Sequence, residues 1–207
     1  MSTPLRQPRV TILDTGKANI ASVSAALRRA GAVSYIANAP QGLCDAEYLV
    51  LPGVGCFGAA MRSLKQRALI DPVRKLILDG VPTLAICLGM QLLCISSEED
   101  EGVAGLGIIS GTIQSLPKSL RAPHLGWNLV EASQCRFVET GYAYFAHSFC
   151  LMTPSEGAVT SVTNYGDEFI ASCEIGNILA CQFHPELSGA WGAGLINRWL
   201  GQKEGLC

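Results

Sequence analysis

The stretch Val81-Pro82-Thr83-Leu84-Ala85-Ile86-Cys87-Leu88-Gly89-Met90-Gln91-Leu92-Leu93 constrains this chain more than any other. A short apolar run ends on a cysteine, and a helix-compatible stretch begins straight after it. A buried strand that turns directly into a helix is the unit from which parallel sheets are built, because parallel neighbours need a crossover connection. The same turn puts a thiol at the sheet edge beside a helix N-terminus, where unsatisfied N–H groups favour a thiolate. Gly89, two positions on, allows the helix to start tightly beside that thiol.

The alternation of strand and helix runs through the first half of the sequence. Residues 9–13 read as a short buried strand, 33–36 and 48–51 as two further strands, and 18–30 as a helix closed by Gly31. Pro52 ends the third strand and opens a Gly-rich loop to Gly58. A helix fits 59–67. Asp71 is expected to cap a further helix with Pro72 at its first position and Gly80 at its end. The second half reads differently. Segments 107–116, 125–130, 142–152, 158–163, 168–174 and 178–183 look like strands separated by turn-rich stretches, a pattern of antiparallel pairing. A last helix fits 191–200. The expected fold is α/β, one domain over 1–207, with a mostly parallel central sheet flanked by helices and a smaller antiparallel sheet.

Composition narrows the function. With 207 residues, 49% of them hydrophobic, the chain can bury the core of one α/β domain. A formal charge of -2 argues against nucleic acid or an anionic membrane as partner. The polar stretch from Met1 to Pro8 lacks the apolar core of a secretion signal, and no apolar run is long enough to span a bilayer, so a cytoplasmic location is expected. Nine scattered cysteines with no Cys-x-x-Cys pair, and only three histidines, argue against a disulfide framework and against a metal site. No cofactor is expected: the Gly-rich loop lacks the Lys and Ser/Thr of a phosphate loop.

Three groups of residues could carry chemistry. Cys87 is a candidate nucleophile. His184 and Glu186, two apart at the end of an apolar strand, share a face and can act as a base with its orienter. The glycines of Pro52-Gly53-Val54-Gly55 permit backbone N–H groups to turn toward an oxyanion. His147, in Tyr144-Phe145-Ala146-His147-Ser148-Phe149, is a rival base, but an isolated histidine on an aromatic strand is expected to form part of the site wall. Pro123-His124-Leu125-Gly126-Trp127-Asn128 reads equally as a loop leading into a strand or as a ligand or partner surface.

Taken together, these segments resemble the class I (triad) glutamine amidotransferases over nearly the whole chain. The resemblance rests on Pro-Gly-Val-Gly-x-Phe-Gly at 52–58, Ile-Cys-Leu-Gly-Met-Gln-Leu-Leu at 86–93, Pro-His-Leu-Gly-Trp-Asn at 123–128 and Gln-Phe-His-Pro-Glu at 182–186. Ser96-Ser97-Glu98-Glu99 followed by Gly105-Leu106-Gly107 also fits. The resemblance implies a flavodoxin-like glutaminase fold and a Cys87–His184–Glu186 triad. It implies oxyanion donors near Gly53, Val54, Gly55 and Leu88, and glutamine held by Gln91 and by the backbone at His147, Ser148 and Phe149. It further implies a heterodimer with a (β/α)₈-barrel cyclase that receives the ammonia. Alternatives on the same fold are a glutaminase serving another synthase and a catalytically silent regulatory subunit. The chain departs from the family's usual pattern at Thr15 and Ala18, where an aromatic and a glycine are usual, at Ala85 and Phe149, and at Leu187, where a Lys is common.

Overall fold

The computed structural model describes residues 6–16, 18–153 and 156–201, so Lys17 and Met1 to Leu5 lie outside the described residues. The first half alternates as expected: β1 (Arg9–Leu13), α1 (Ile20–Arg29), β2 (Val33–Ala37), β3 (Tyr48–Leu51), α2 (Phe57–Gln66), α3 (Ile70–Leu78), β4 (Thr83–Ile86) and α4 (Leu88–Leu93). The second half holds β5 (Ser96–Ser97), β6 (Thr112–Ser115), β7 (His124–Ala132), β8 (Gly141–His147), β9 (Phe149–Leu151), β10 (Val159–Tyr165), β11 (Asp167–Ile175), β12 (Ile178–Cys181) and α5 (Gly189–Leu200). Short 3₁₀ turns lie at Pro40–Leu43 and Pro185–Leu187.

Local chemistry accounts for the helix ends. Asn19 caps α1 by accepting from the Ser22 N–H at 3.2 Å, and Arg28 and Arg29 occupy its last turn, where cations meet the free carbonyls. Asp71 is not the cap of α3. Ala68 takes a positive φ of 53° just after α2, and α3 then starts at Ile70 with Leu69 in the cap position. Asp71 falls inside the first turn, where its carboxylate still faces the positive end of the helix.

The nine-stranded sheet has the order β2-β1-β3-β4-β12-β11-β10-β7-β8. Strands β2, β1, β3, β4 and β12 pair in parallel. From β12 onward every pairing is antiparallel. The sheet is therefore mixed, and the expectation of a mostly parallel central sheet is corrected. The second-half strands do not form a layer of their own; β11 hydrogen-bonds to β12 and continues the central sheet. The separate small sheet is β5-β6-β9, and it too is mixed, with β5 parallel to β6 and β6 antiparallel to β9. The segment expected as one strand at 142–152 is broken at Ser148, so β8 serves the large sheet and β9 the small one.

The parallel half is covered on both faces, as such sheets require. All four residues of β3 and all four of β4 are buried. On one face Val10, Ile12, Val50, Leu84 and Ile86 pack with α1 and α5; on the other Leu13, Leu49, Leu51 and Ala85 pack with α2, α3 and α4. Trp199 of α5 is fully buried edge-on to Tyr48, whose hydroxyl donates to the Leu200 carbonyl at 2.7 Å.

The first turn of α4 lies directly on the end of β3. A Cβ added to Gly89 would sit 1.9 Å from the Leu51 carbonyl oxygen, and one added to Gly53 would sit 2.5 Å from the Leu88 Cβ. Backbone cannot yield as a flexible side chain can, so the Gly89→Ala variant is expected to lose about 3 kcal/mol of stability. Urea unfolding checks this, and an unchanged midpoint would show that α4 does not need this approach.

Candidate active site

Cys87 joins β4 to α4 with no linker between them. It takes φ 51° and ψ -108°, a strained backbone for a residue with a side chain, costing about 1–3 kcal/mol. The turn is held by two hydrogen bonds. The Cys87 N–H donates to the Cys181 carbonyl at 2.7 Å, and its own carbonyl accepts from the Gln91 N–H at 3.2 Å. The sulfur is thereby fixed at the start of α4 within the sheet edge, and Cys87 is only 5% exposed.

The neighbouring strand β12 ends at Cys181, and the chain passes through Gln182 and Phe183 to His184. The His184 N–H donates to the Tyr144 carbonyl at 2.9 Å, and the Ser188 hydroxyl donates to the His184 carbonyl at 2.6 Å. The imidazole Nδ1 lies 2.9 Å from Glu186 Oε1, with both side chains almost wholly buried. Nε2 is buried and completes no hydrogen bond of its own. Burial by itself would lower the His184 pKa. Interaction with the Cys87 side chain and with Glu186 outweighs it and carries the pKa up to about 10.

A cavity of about 190 Å³ opens over the sulfur. It is well below the roughly 300–1,000 Å³ typical of drug-sized ligands. Cys87, Leu88 and Gln91 line it, as do Val54 and Gly55 of the Gly-rich loop. The β8–β9 junction at His147, Ser148 and Phe149 also lines it. Gly53, His184 and Glu186 lie outside this lining. Gly55 takes φ 112°, a conformation suited to glycine, and Val54 beside it is 41% exposed.

His147 differs from His184 in every respect that governs proton exchange. Its Nδ1 is 3.0 Å from the Phe149 carbonyl and its Nε2 is 3.2 Å from His124 Nδ1, so both nitrogens are occupied. Burial, then the neighbouring His124, pushes its pKa down to about 3 despite the Phe149 carbonyl, and the ring is neutral. The 123–128 segment leads into β7, along which burial alternates. His124 and Asn128 point inward, whereas Leu125 and Trp127 are exposed, at 64% and 57%. Pro123 reaches the cavity rim.

Four contributors were not legible as site residues. Glu99 lines the cavity and accepts from the Phe57 N–H at 2.7 Å, while Asp100 accepts from the Gly58 N–H at 2.9 Å. These carboxylates hold the start of α2 where the Gly-rich loop enters it. Thr15, one of the departures from the family pattern, is buried and donates its hydroxyl to the Pro52 carbonyl at 3.2 Å. Gln182 places its amide nitrogen 3.5 Å from Cys87 Sγ. Glu98-Glu99 belongs to a stretch that carries the family resemblance, but nothing local ties it to the loop.

Among the described residues, no helix is long and apolar enough to cross a membrane. Residues 11–199 match the family described as Glutamine amidotransferase class-I. The chain is 42% identical over 195 residues to "Imidazole glycerol phosphate synthase subunit HisH" of Methanothermobacter thermautotrophicus, covering 92% of this chain and 97% of that protein. It is 41% identical over 197 residues to the protein of the same name from Yersinia pseudotuberculosis, covering 92% and 98%. In fold it matches a crystal structure described as a glutamine amidotransferase with a TM-score of 0.77 at 19% identity, covering 93% of this chain and 97% of that one. The chain belongs to the class-I glutamine amidotransferases.

Proposed function

We propose that this protein is the glutaminase subunit of an imidazole glycerol phosphate synthase. It hydrolyses glutamine to glutamate and passes the ammonia to a (β/α)₈-barrel cyclase for histidine biosynthesis. The observation that carries the chemistry is the strained turn at Cys87, which lines a small cavity and interacts with a buried imidazole–carboxylate pair. The high identity to two HisH subunits over nearly their full length carries the pathway.

The steps follow from the charges. The Cys87 thiolate attacks the side-chain amide carbon, and the negative charge moves to the amide oxygen. The Leu88 N–H, at the open end of α4, and an N–H of the Gly53–Gly55 loop receive that oxyanion. His184, protonated at neutral pH with its pKa near 10, gives its Nε2 proton to the departing nitrogen. The carbon–nitrogen bond breaks and ammonia leaves a thioester behind. Forming the thioester removes the thiolate, one of the groups that raises the His184 pKa, so the now neutral ring can take a proton from water. Hydroxide attack and collapse release glutamate and regenerate the thiolate–imidazolium pair. Both Gln91 amide hydrogens are committed to protein, to the Phe149 carbonyl at 2.9 Å and Gln182 Oε1 at 3.2 Å. Its Oε1 is left to accept from the substrate's ammonium group.

The surface beside the cavity supports a protein partner. Leu125, Trp127, Tyr142 and Leu187 are large exposed apolar side chains. The β7–β8 register brings the first three onto one ladder, and the Trp127 ring reaches toward Gly189, next to the Leu187 turn. Clusters of this kind mark interaction surfaces. Leu187, where the family commonly carries Lys, makes this face more apolar and shifts its docking from ion pairing toward burial.

Cys87→Ala is expected to abolish glutamine hydrolysis while the complex still uses added ammonia; glutamate release by the variant would refute the nucleophile. Glu186→Gln should lower glutaminase activity by about 10²-fold or more. It should also move the His184 titration, followed by NMR, down from about 10 toward 6.5. Because the folded-state pKa is raised, the stabilising effect of this group is complete below pH 6.5 and fades as pH rises through about 10. In Glu186→Gln the fading starts at lower pH, and an unmoved titration would remove Glu186 from the pair. Glutamine turnover by the isolated chain should be slower than by the complex holding its nucleotide ligand, since the Val54–Gly55 edge is exposed; equal rates would exclude gating through that loop.

A further inference from the structure

The geometry points to Gln182 as a catalytic residue that donates an amide N–H to the Cys87 sulfur, held in that sense by Gln91 and the Phe149 carbonyl, on which a relay from Asn128 and His124 through His147 also ends. The inference deepens the glutaminase reading and rests on Cys87 being its nucleophile.

The direction of each bond is forced by backbone at two points. Asn128 Oδ1 accepts from the Leu129 N–H at 2.8 Å, and its Nδ2 donates to the Asn164 carbonyl at 2.8 Å. The amide cannot flip without losing both bonds. Its NH₂ therefore faces His124 Nε2, 3.4 Å away, and that nitrogen must be an acceptor. His124 then carries its hydrogen on Nδ1 and donates to His147 Nε2 at 3.2 Å. His147 in turn carries its hydrogen on Nδ1 and donates to the Phe149 carbonyl at 3.0 Å. Both rings have lowered pKa values, in each case chiefly through burial, which keeps one hydrogen on each and preserves the sense of the relay.

The second anchor is the Phe149 carbonyl itself. Its other lone pair takes an N–H from Gln91 Nε2 at 2.9 Å, which fixes the Gln91 amide. The remaining Gln91 hydrogen goes to Gln182 Oε1 at 3.2 Å. Gln182, fully buried, is left with its Nε2 directed at Cys87 Sγ at 3.5 Å. A flipped Gln182 would set its oxygen against the sulfur and its nitrogen against the Gln91 nitrogen. An N–H aimed at a thiolate is a charge-assisted bond and stabilises the attacking form. Asn128 and His124 lie on the inward face of β7, whose outward face carries Leu125 and Trp127. A partner docked there would act on the strand that fixes the relay.

The test uses the full chain, iodoacetamide as probe, and NMR of the histidine nitrogens. Gln182→Leu removes the donor. Gln182→Glu keeps an acceptor for Gln91 but turns a carboxylate toward the sulfur. Alkylation of Cys87 at neutral pH is expected to slow at least tenfold in the first and further in the second, with thermal melting recorded for each. Rates within twofold of the unaltered chain in both would overturn the role of Gln182. Asn128→Asp is nearly isosteric and replaces the donor facing His124 with an acceptor. It should shift the His147 hydrogen from Nδ1 to Nε2 and cost the bond to the Phe149 carbonyl, while Gln91 still donates to that carbonyl and alkylation stays within about twofold. A His147 ring still protonated on Nδ1 in that variant would overturn the relay, whether or not Cys87 proves to be the glutaminase nucleophile. Failure of iodoacetamide to label Cys87 in the unaltered chain would instead count against the nucleophile assignment, leaving the NMR arm to decide the relay.

Discussion

The site depends on the pairing of β4 with β12. These strands run parallel in the register Ile178↔Thr83 to Cys181↔Ile86, so both end at the same edge of the sheet. One further hydrogen bond, from the Cys87 N–H to the Cys181 carbonyl, continues that register into the turn. It supports the strained Cys87 backbone and sets the sulfur beside the chain that leads to His184. A slip by one residue would reverse which side chains face the core and separate the two groups. The same pair of strands is where the parallel half of the sheet meets the antiparallel half. The proposed nucleophile thus comes from one half and its acid–base partner from the edge of the other.

Around this junction the protein uses three histidines in two electrostatic states. His184 sits against a thiol and a carboxylate, and these overcome burial to hold it protonated. His147 and His124 are buried against aromatic rings and against each other, and are held neutral. Similar residues with pKa values pushed apart divide the work between proton transfer and fixed hydrogen bonding. Neutrality suits the second role, because a doubly protonated ring would turn an N–H toward the Asn128 amide hydrogens.

The departures from the family pattern fall around the chemistry rather than within it. Thr15 holds the Pro52 carbonyl, so the altered N-terminal segment still tethers the Gly-rich loop. Ala85 is fully buried within β4, where its methyl packs among Leu51 and Met90 neighbours of the same core. Phe149 contributes its carbonyl to Gln91 and His147, a role independent of its ring. Leu187 is exposed and changes the character of the outer surface, at the face proposed above for a partner.

The sequence by itself determined the local elements and the chemical identities. The apolar run ending at Cys87, Gly89 after it, and the two-residue spacing of His184 and Glu186 already point to a strand-to-helix turn that presents a thiol and to an imidazole paired with a carboxylate, the groups of the proposed chemistry. Local propensity also placed most strands, because burial on one or both faces leaves a period in the residue types. What only the tertiary structure decided was which strands join. Whether the second-half strands extend the central sheet or stand apart depends on long-range hydrogen bonds that leave no mark on local composition, and this is why a mostly parallel sheet was expected and a mixed one found. The same reason hid Glu99, Thr15 and Gln182. Each is a polar residue of ordinary appearance in sequence, and each matters through a partner at least 37 positions away, brought to it by the packing of the sheet edge.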